Sequence, residues 1–403
     1  MPKINYSKLI EKHNTKQIDT SEVVDNLSES FSGIAEIFVG GSVAKGTNLG
    51  SYDVDVFVRF ENNVDVDLLE KVLRKHFKKV MRVHGSRDYF NFNHKGISYE
   101  IIPVLKIKDP SKAENITDIS YFHVEWIKKN LKKPEQVKIA KLFCEAQGVY
   151  GAESYINGFS GYILEILLVH YESFDNLIKS ASNWKPKLVI DVAKYYANGK
   201  DVIHNMNNSK TQSPLIIIDP VDKNRNASAA LSEEMFSKFI LKCREFVKKP
   251  NMSYFKKAKF KLNEVKKRAK KYDSELVTLK IIPLKGKEDI AFTKALVAFN
   301  FIKKHITLND FNVVDSKYEV DENLFWLIVS PKKLSKFKKH LGPKVLGDQE
   351  NINKFKLKHK DVFLDGTILA VMKKRKFTSP KELVKDLIKR EEVRNRVGKI
   401  DLK

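Results

Sequence analysis

Asp53 and Asp55 alternate with valines in Asp53-Val54-Asp55-Val56-Phe57-Val58, and a turn-forming run, Gly40-Gly41-Ser42-Val43-Ala44-Lys45-Gly46-Thr47, ends six residues earlier. The alternation reads as a strand with Val54, Val56 and Val58 on one face and Asp53, Asp55 and Phe57 on the other. Side chains two apart on a strand are separated by about 6.8 Å, so both carboxylates can converge on one metal site. The Gly-Ser turn offers backbone N–H groups and a hydroxyl to phosphate oxygens. A phosphate cradle beside a carboxylate strand points to nucleotidyl transfer. That chemistry needs a deprotonated attacking hydroxyl, a neutralised α-phosphate and a stabilised pyrophosphate. Two divalent ions about 3.5–4 Å apart, bridged by carboxylates, do all three. Magnesium prefers hard oxygens and keeps some waters, so two or three carboxylates suffice. Glu100, in Tyr99-Glu100-Ile101-Ile102-Pro103, is the candidate third, because a charge inside such an apolar run is costly unless paired or metal-bound. An Asp-x-Asp alone would read as a solvent-facing edge; its company with the turn favours the metal reading. The order Lys45-Gly46-Thr47 inverts the Walker arrangement, which excludes a P-loop ATPase.

The elements that must position these residues fall into three stretches. Residues 1–125 alternate helix and strand signals like a small α/β domain. Strands are expected over Glu36–Val39, Val54–Phe60, Tyr89–Asn93 and Ser98–Leu105, with Pro103 ending or interrupting the last. Leu68, Leu69, Val72, Leu73 and Phe77 mark an amphipathic helix. Residues 126–255 turn helical. Pro134 suits a first helical position and Gly148 the left-handed residue past its end. Further helices are expected over Ser160–Ser180 and Ser232–Lys248, with a buried strand in Pro214–Asp222. Residues 256–403 open on Lys256–Lys271, nine Lys or Arg against Glu264 alone, read as a hinge helix. Strands Leu276–Leu284, Leu324–Ser330 and Gly366–Lys376, a helix Ile290–Ile306 and a capping box at Ser379-Pro380-Lys381-Glu382 imply an α/β module like RNA-binding sandwiches. The fold class expected is α+β and multidomain.

The chain has 403 residues, 74 Lys or Arg and 50 Asp or Glu, for a formal net charge of +24. That excess favours a polyanionic partner such as nucleic acid, although a compositional bias toward lysine gives the same count. Cys144 and Cys243 match no metal spacing and read as reduced, buried residues of a cytoplasmic protein. No apolar run reaches membrane-spanning length and no signal-peptide segment is apparent, so no membrane partner is expected.

The run from Gly40 to Leu49 with Asp53–Val58 resembles the nucleotidyltransferase superfamily and, within it, the archaeal-type (class I) CCA-adding enzymes. Val149-Tyr150-Gly151-Ala152-Glu153, Gly158-Phe159-Ser160-Gly161-Tyr162, Asp219-Pro220-Val221-Asp222-Lys223-Asn224-Arg225-Asn226 and a late Gly342-Pro343 carry the same resemblance. It implies a polymerase β-like nucleotidyltransferase head, a helical central domain and a C-terminal α/β body and tail. It also implies addition of CCA to tRNA 3′ ends from CTP and ATP without a nucleic-acid template. Asp53, Asp55 and Glu100 would be catalytic ligands of two Mg2+ ions. Gly41, Ser42, Lys45, His123, Lys141, Tyr150 and Arg225 would bind the nucleotide. Residue type alone also allows His123 as a satisfied buried histidine, Lys141 as a solvated lysine, Tyr150 as a core aromatic and Arg225 as a surface ion pair beside Asp222. The tRNA acceptor and T arm are the implied RNA contacts, met by Lys256–Lys271 and Lys373–Lys376, with a homodimer left open.

Three departures from the family pattern stand out. Thr117-Asp118-Ile119-Ser120 lacks the family's arginine, Arg87-Asp88-Tyr89-Phe90 replaces a Glu-His-Pro-Tyr-like stretch, and Glu100 stands where Asp is commoner. Two other functions compete: another non-templated RNA nucleotidyltransferase, such as a poly(A) or oligoadenylate synthase, and an RNA-binding protein with a decayed catalytic head. The central blocks favour CCA addition over the first, and the intact acidic trio disfavours the second.

Overall fold

The computed structural model describes residues 4–13, 19–50 and 53–403. It divides into two compact units, residues 1–258 and 259–403. After a short helix over Ser7–His13, the first unit carries helix α1 (Ser21–Ser30) and a five-stranded sheet of β1 (Ala35–Val39), β2 (Asp53–Phe60), β3 (Met81–Val83), β4 (Tyr89–His94) and β5 (Ile97–Leu105). The sheet order is β1-β2-β5-β4-β3, and β2 and β5 run parallel. Val54, Val56 and Val58 are fully buried, packed with Tyr99 and Ile101 of β5 and with Leu69 and Leu73 of helix α2 (Val66–His76). Asp65 starts α2, its carboxylate accepting from Leu68 N. The period-two burial forces Asp53 and Asp55 onto the opposite face.

Pro103 does not interrupt β5. Strand β4 pairs with β5 only as far as Ile101, so the far edge at Pro103 needs no donor, and the Pro103 carbonyl accepts from Arg87 Nη1.

Helices α3 (Ser120–Asn130), α4 (Pro134–Ala146), α5 (Gly161–Tyr171), α6 (Phe174–Ala181) and α7 (Glu233–Lys248) surround a second core built from Phe143, Phe159, Leu164, Phe174, Phe239 and Phe246. Cys144 and Cys243 are buried in it as free thiols. The single helix expected over Ser160–Ser180 is two helices. Glu172 adopts a left-handed conformation that ends α5, and the Ser173 hydroxyl accepts from Asn176 N to begin α6. Strands β6 (Leu188–Ile190), β7 (Leu215–Asp219) and β8 (Asp222–Asn226) form a small sheet. The polar β8 has little strand propensity. Asn226 fixes it by accepting from Ile217 N and donating to the Lys210 carbonyl and Ser213 Oγ.

In the second unit the helix α8 spans Leu262–Lys271, shorter than the expected Lys256–Lys271. Lys256, Lys257, Lys259 and Lys261 would stack like charges along a helix face. Strands β9 (Glu275–Ile282), β10 (Asn312–Glu319), β11 (Leu324–Ser330) and β15 (Lys399–Leu402) form an antiparallel sheet in the order β10-β11-β9-β15. Phe325, Leu327 and Val329 of β11 pack against helices α9 (Glu288–Leu308) and α10 (Pro380–Leu387), while Trp326 and Ile328 pack against α8. Burial on both faces explains the unbroken apolar run in β11. A second sheet holds β12 (Phe337–Lys344), β13 (Phe363–Asp365) and β14 (Ile368–Lys374), with Gly366 in the turn between the last two. The capping box expected at Ser379 and Glu382 is present. Among the described residues no helix is long and apolar enough to cross a membrane.

Candidate active site

The parallel register places Asp55 opposite Glu100 and Asp53 opposite Ser98. Glu100 Oε1 accepts from Asn91 Nδ2 at 3.2 Å. The turn packs directly onto Asp55: Gly40 N donates to the Asp55 carbonyl at 2.8 Å. Gly41 has φ +59°, and a Cβ there would stand 1.7 Å from Asp55 Oδ2. Only glycine lets the chain pass so close. Burial, then the charges of Glu100 and Asp53 acting against Lys45, push the Asp55 carboxyl up to about 7.

Among the described residues no three His, Cys, Asp or Glu side chains stand gathered as a ready-made ion cage. The donor set nevertheless fits a hard divalent cation. The parallel pairing of β2 with β5 brings hard carboxylate oxygens to neighbouring positions, and burial together with the charges of Glu100 and Asp53, only partly offset by Lys45, makes Asp55 ionise with difficulty. The sign is testable in metal-free buffer. The folded pKa of Asp55 lies above its ordinary 3.8, so its contribution to stability is complete below 3.8 and is lost as pH rises through about 7. Asp55→Asn should therefore exceed the wild type in stability by a few kcal/mol at about pH 8, with no gain near about pH 4. Denaturant titration against pH measures the difference, and magnesium should shrink it. A difference that does not change with pH would mean that Asp55 ionises normally.

A second cluster joins the turn to the helical part. Lys45 Nζ and Thr47 Oγ1 each donate to Glu165 of α5 at 2.6 Å, and Lys141 Nζ of α4 donates to the Thr47 carbonyl at 2.8 Å. A Cβ at Gly161 would lie 3.3 Å from Tyr150 Oη and 3.5 Å from Lys141 Nζ, so the absent side chain admits both groups to the start of α5. Lys141 and Tyr150 thus meet at the start of α5, a helix end that favours anions, and Lys45 joins the same helix four residues further on through Glu165. Burial, reinforced by Lys45 and Lys138 and opposed by Glu165 and Glu145, lowers the Lys141 ammonium to about 8.

The third cluster centres on Asp219, fully buried at the end of β7. Its carboxylate accepts from His123 Nε2 at 3.0 Å, Tyr162 Oη at 2.9 Å, Arg225 Nη1 at 2.5 Å and Val221 N at 3.1 Å. Burial pushes this carboxyl up, but the bond from His123, the charges of His123 and Arg225 and the Val221 N–H outweigh it and hold it below the usual range. The Tyr162 ring lies 5.9 Å from Lys45 Nζ and links this cluster to the second.

The sequence-predicted residues therefore stand in three groups: Asp53, Asp55 and Glu100 on the sheet, Lys45, Lys141 and Tyr150 at α5, and His123 with Arg225 on Asp219. Glu165, Thr47, Asp219 and Tyr162 received no role from the sequence. Two of them carried a signal: Glu165 interrupts an apolar helix and Asp219 ends the run Leu215–Ile218. A charge in such a run has to be paired.

Three family models match the chain in order. They are a nucleotidyltransferase domain over residues 20–144, a tRNA nucleotidyltransferase second domain over 135–256 and a CCA-adding enzyme C-terminal domain over 286–399. The fold and site thus define a nucleotidyltransferase. A solved cytoplasmic RNA terminal U-transferase shares the fold, with a TM-score of 0.50 at 11% identity over 63% of this chain and 97% of that one. The CCA-adding enzyme of Nanoarchaeum equitans (strain Kin4-M) is 39% identical over 350 residues, 85% of this chain and 84% of its own. That of Methanocaldococcus jannaschii is 31% identical over 393 residues, 92% of this chain and 86% of its own. The chain belongs to the CCA-adding enzyme family, and its activity is template-independent addition of CCA to the 3′ end of tRNA. The reading that favoured CCA addition over other RNA-tailing enzymes and over a decayed RNA-binding protein is met.

Proposed function

We propose that Asp53, Asp55 and Glu100 hold two Mg2+ ions, while Lys45, Lys141 and Tyr150, with Gly41 and Ser42 of the turn, bind the triphosphate of CTP or ATP. The observation that carries this reading is the Asp55–Glu100 pairing across parallel strands, directly under the turn at Gly41. Bound divalent ions would lower the pKa of the attacking 3′ hydroxyl and neutralise charge on the reacting phosphate. Gly41 and Ser42 present backbone and hydroxyl donors beside that acidic strand. Lys45 and Lys141 supply cationic donors for the β- and γ-phosphates from the α5 side, and Tyr150 adds a hydroxyl. Arg225 and His123, fixed on Asp219, offer directional donors to a base edge or a phosphate. The lysine-rich α8 and the Lys373–Lys376 run provide backbone contacts to the tRNA acceptor and T arm. Action in the cytoplasm, with or without dimerisation, belongs to the same reading.

Purified protein with magnesium, CTP, ATP and a tRNA lacking its last three nucleotides should yield a CCA-ended product. Sequencing of the product decides the outcome. Long adenosine tails on unrelated RNA would replace this reading with a poly(A)-type activity, and tRNA binding without incorporation would remove the catalytic assignment.

A further inference from the structure

Glu165 is the one carboxylate of α5, and its side chain is 1% exposed. A carboxylate that buried persists only when fully paired. Both of its oxygens are committed to the turn that precedes the acidic strand, one to Lys45 and one to Thr47. Lys141 completes the arrangement by donating to the carbonyl of that same Thr47. Glu165 thus pairs with Lys45 directly and acts on Lys141 through Thr47 and, alongside Glu145, through its charge. Gly161 opens the start of α5 to Tyr150 and to that same Lys141.

We propose that Glu165 is a positioning residue of the triphosphate site, a shared counter-charge that holds Lys45, Thr47 and, through Thr47, Lys141 ready for an incoming nucleoside triphosphate. This inference rests on Lys45 and Lys141 being the phosphate-binding lysines. Without Glu165, the Lys45 and Lys141 ammonium groups would face each other in a largely buried space. The groups acting on Lys141 are Glu165 and Glu145, which favour its charged form, and Lys45 and Lys138, which join burial in opposing it. Removing the first of these tips Lys141 toward the neutral amine near neutral pH. Arg would not respond in this way, because its guanidinium stays charged.

Glu165→Gln keeps the size of the side chain and an acceptor for the Thr47 hydroxyl while deleting the charge. KM for CTP and for ATP should rise about tenfold near pH 7.5, with kcat within about twofold. The variant-to-wild-type KM ratio should shrink toward about pH 6, where Lys141 is protonated in both proteins. Taking the ratio cancels the titration of Asp55, which both share. A ratio that is flat with pH, or an unchanged KM, overturns the proposal. Thermal unfolding and tRNA affinity check folding, because a merely structural lesion would lower tRNA affinity and kcat together. If Glu165→Gln does not fold, Glu165→Asp serves. It keeps the charge but withdraws it from the turn, so KM should rise with no pH dependence of the ratio, and a wild-type KM would overturn the proposal. Failure of the underlying reading looks different: Lys45→Ala and Lys141→Ala would leave both KM values unchanged. A raised KM in Lys141→Ala with a wild-type KM in Glu165→Gln would sink the role of Glu165 alone.

Discussion

Asp55→Ala is expected to lose nucleotide incorporation into tRNA by about a thousandfold or more, with tRNA affinity unchanged within about twofold. Asp55 sits between the two other acidic positions, in register with Glu100 on one side and two residues from Asp53 on the other. It is also the carboxylate against which the glycine turn at Gly41 rests. Losing its two oxygens removes the central carboxylate of the three that would hold the divalent ions. Charge neutralisation by such ions stabilises the transition state by several kcal/mol, and each 1.4 kcal/mol is about tenfold in rate. The basic surface proposed to meet the RNA backbone is untouched, so binding should survive. Single-turnover incorporation and filter binding on the same preparation measure the two effects. A parallel fall in affinity would show that Asp55 shapes the head and holds no ion.

Asp219→Asn should cost roughly 3–5 kcal/mol of stability, the usual penalty for breaking one side of a buried ion pair. Four donors from α3, α5, β8 and the turn between β7 and β8 converge on this carboxylate. An asparagine keeps one acceptor and turns an amide N–H2 toward donors that need the other. His123 and Arg225 would lose their common anchor, so KM for both nucleotides should rise as well. Denaturant unfolding and steady-state kinetics measure the pair of effects. Wild-type stability in the variant would mean that Asp219 does not organise the cluster.

The acidic strand was legible because its two faces differ so sharply. Val54, Val56 and Val58 must face a core, which fixes where Asp53 and Asp55 point. The capping box at Ser379 and the proline start of α4 were legible for a second reason, since their signals lie within four residues. Features set by distant partners were not. Strand β8 reads as a polar turn until Asn226 meets Ile217 and Ser213. The break between α5 and α6 depends on Glu172 adopting a left-handed backbone, which its side chain does not announce. In the site, the acidic trio and the glycine turn were read from their own residues, whereas His123, Lys141, Tyr150 and Arg225 were reached through the resemblance. The residues that hold them, Asp219 and Glu165, stand out in the sequence only as charges in apolar runs; what they hold emerges when the partners 96 and 120 positions away are in view.

The parallel pairing of β2 with β5 has a practical corollary. A slip of one residue would turn Glu100 into the core, and a slip of two would carry it about 6.8 Å along the strand. Molecules with a misregistered sheet would thus be dead, with no altered accuracy to betray them. Active-site titration of a preparation would count the correctly assembled heads.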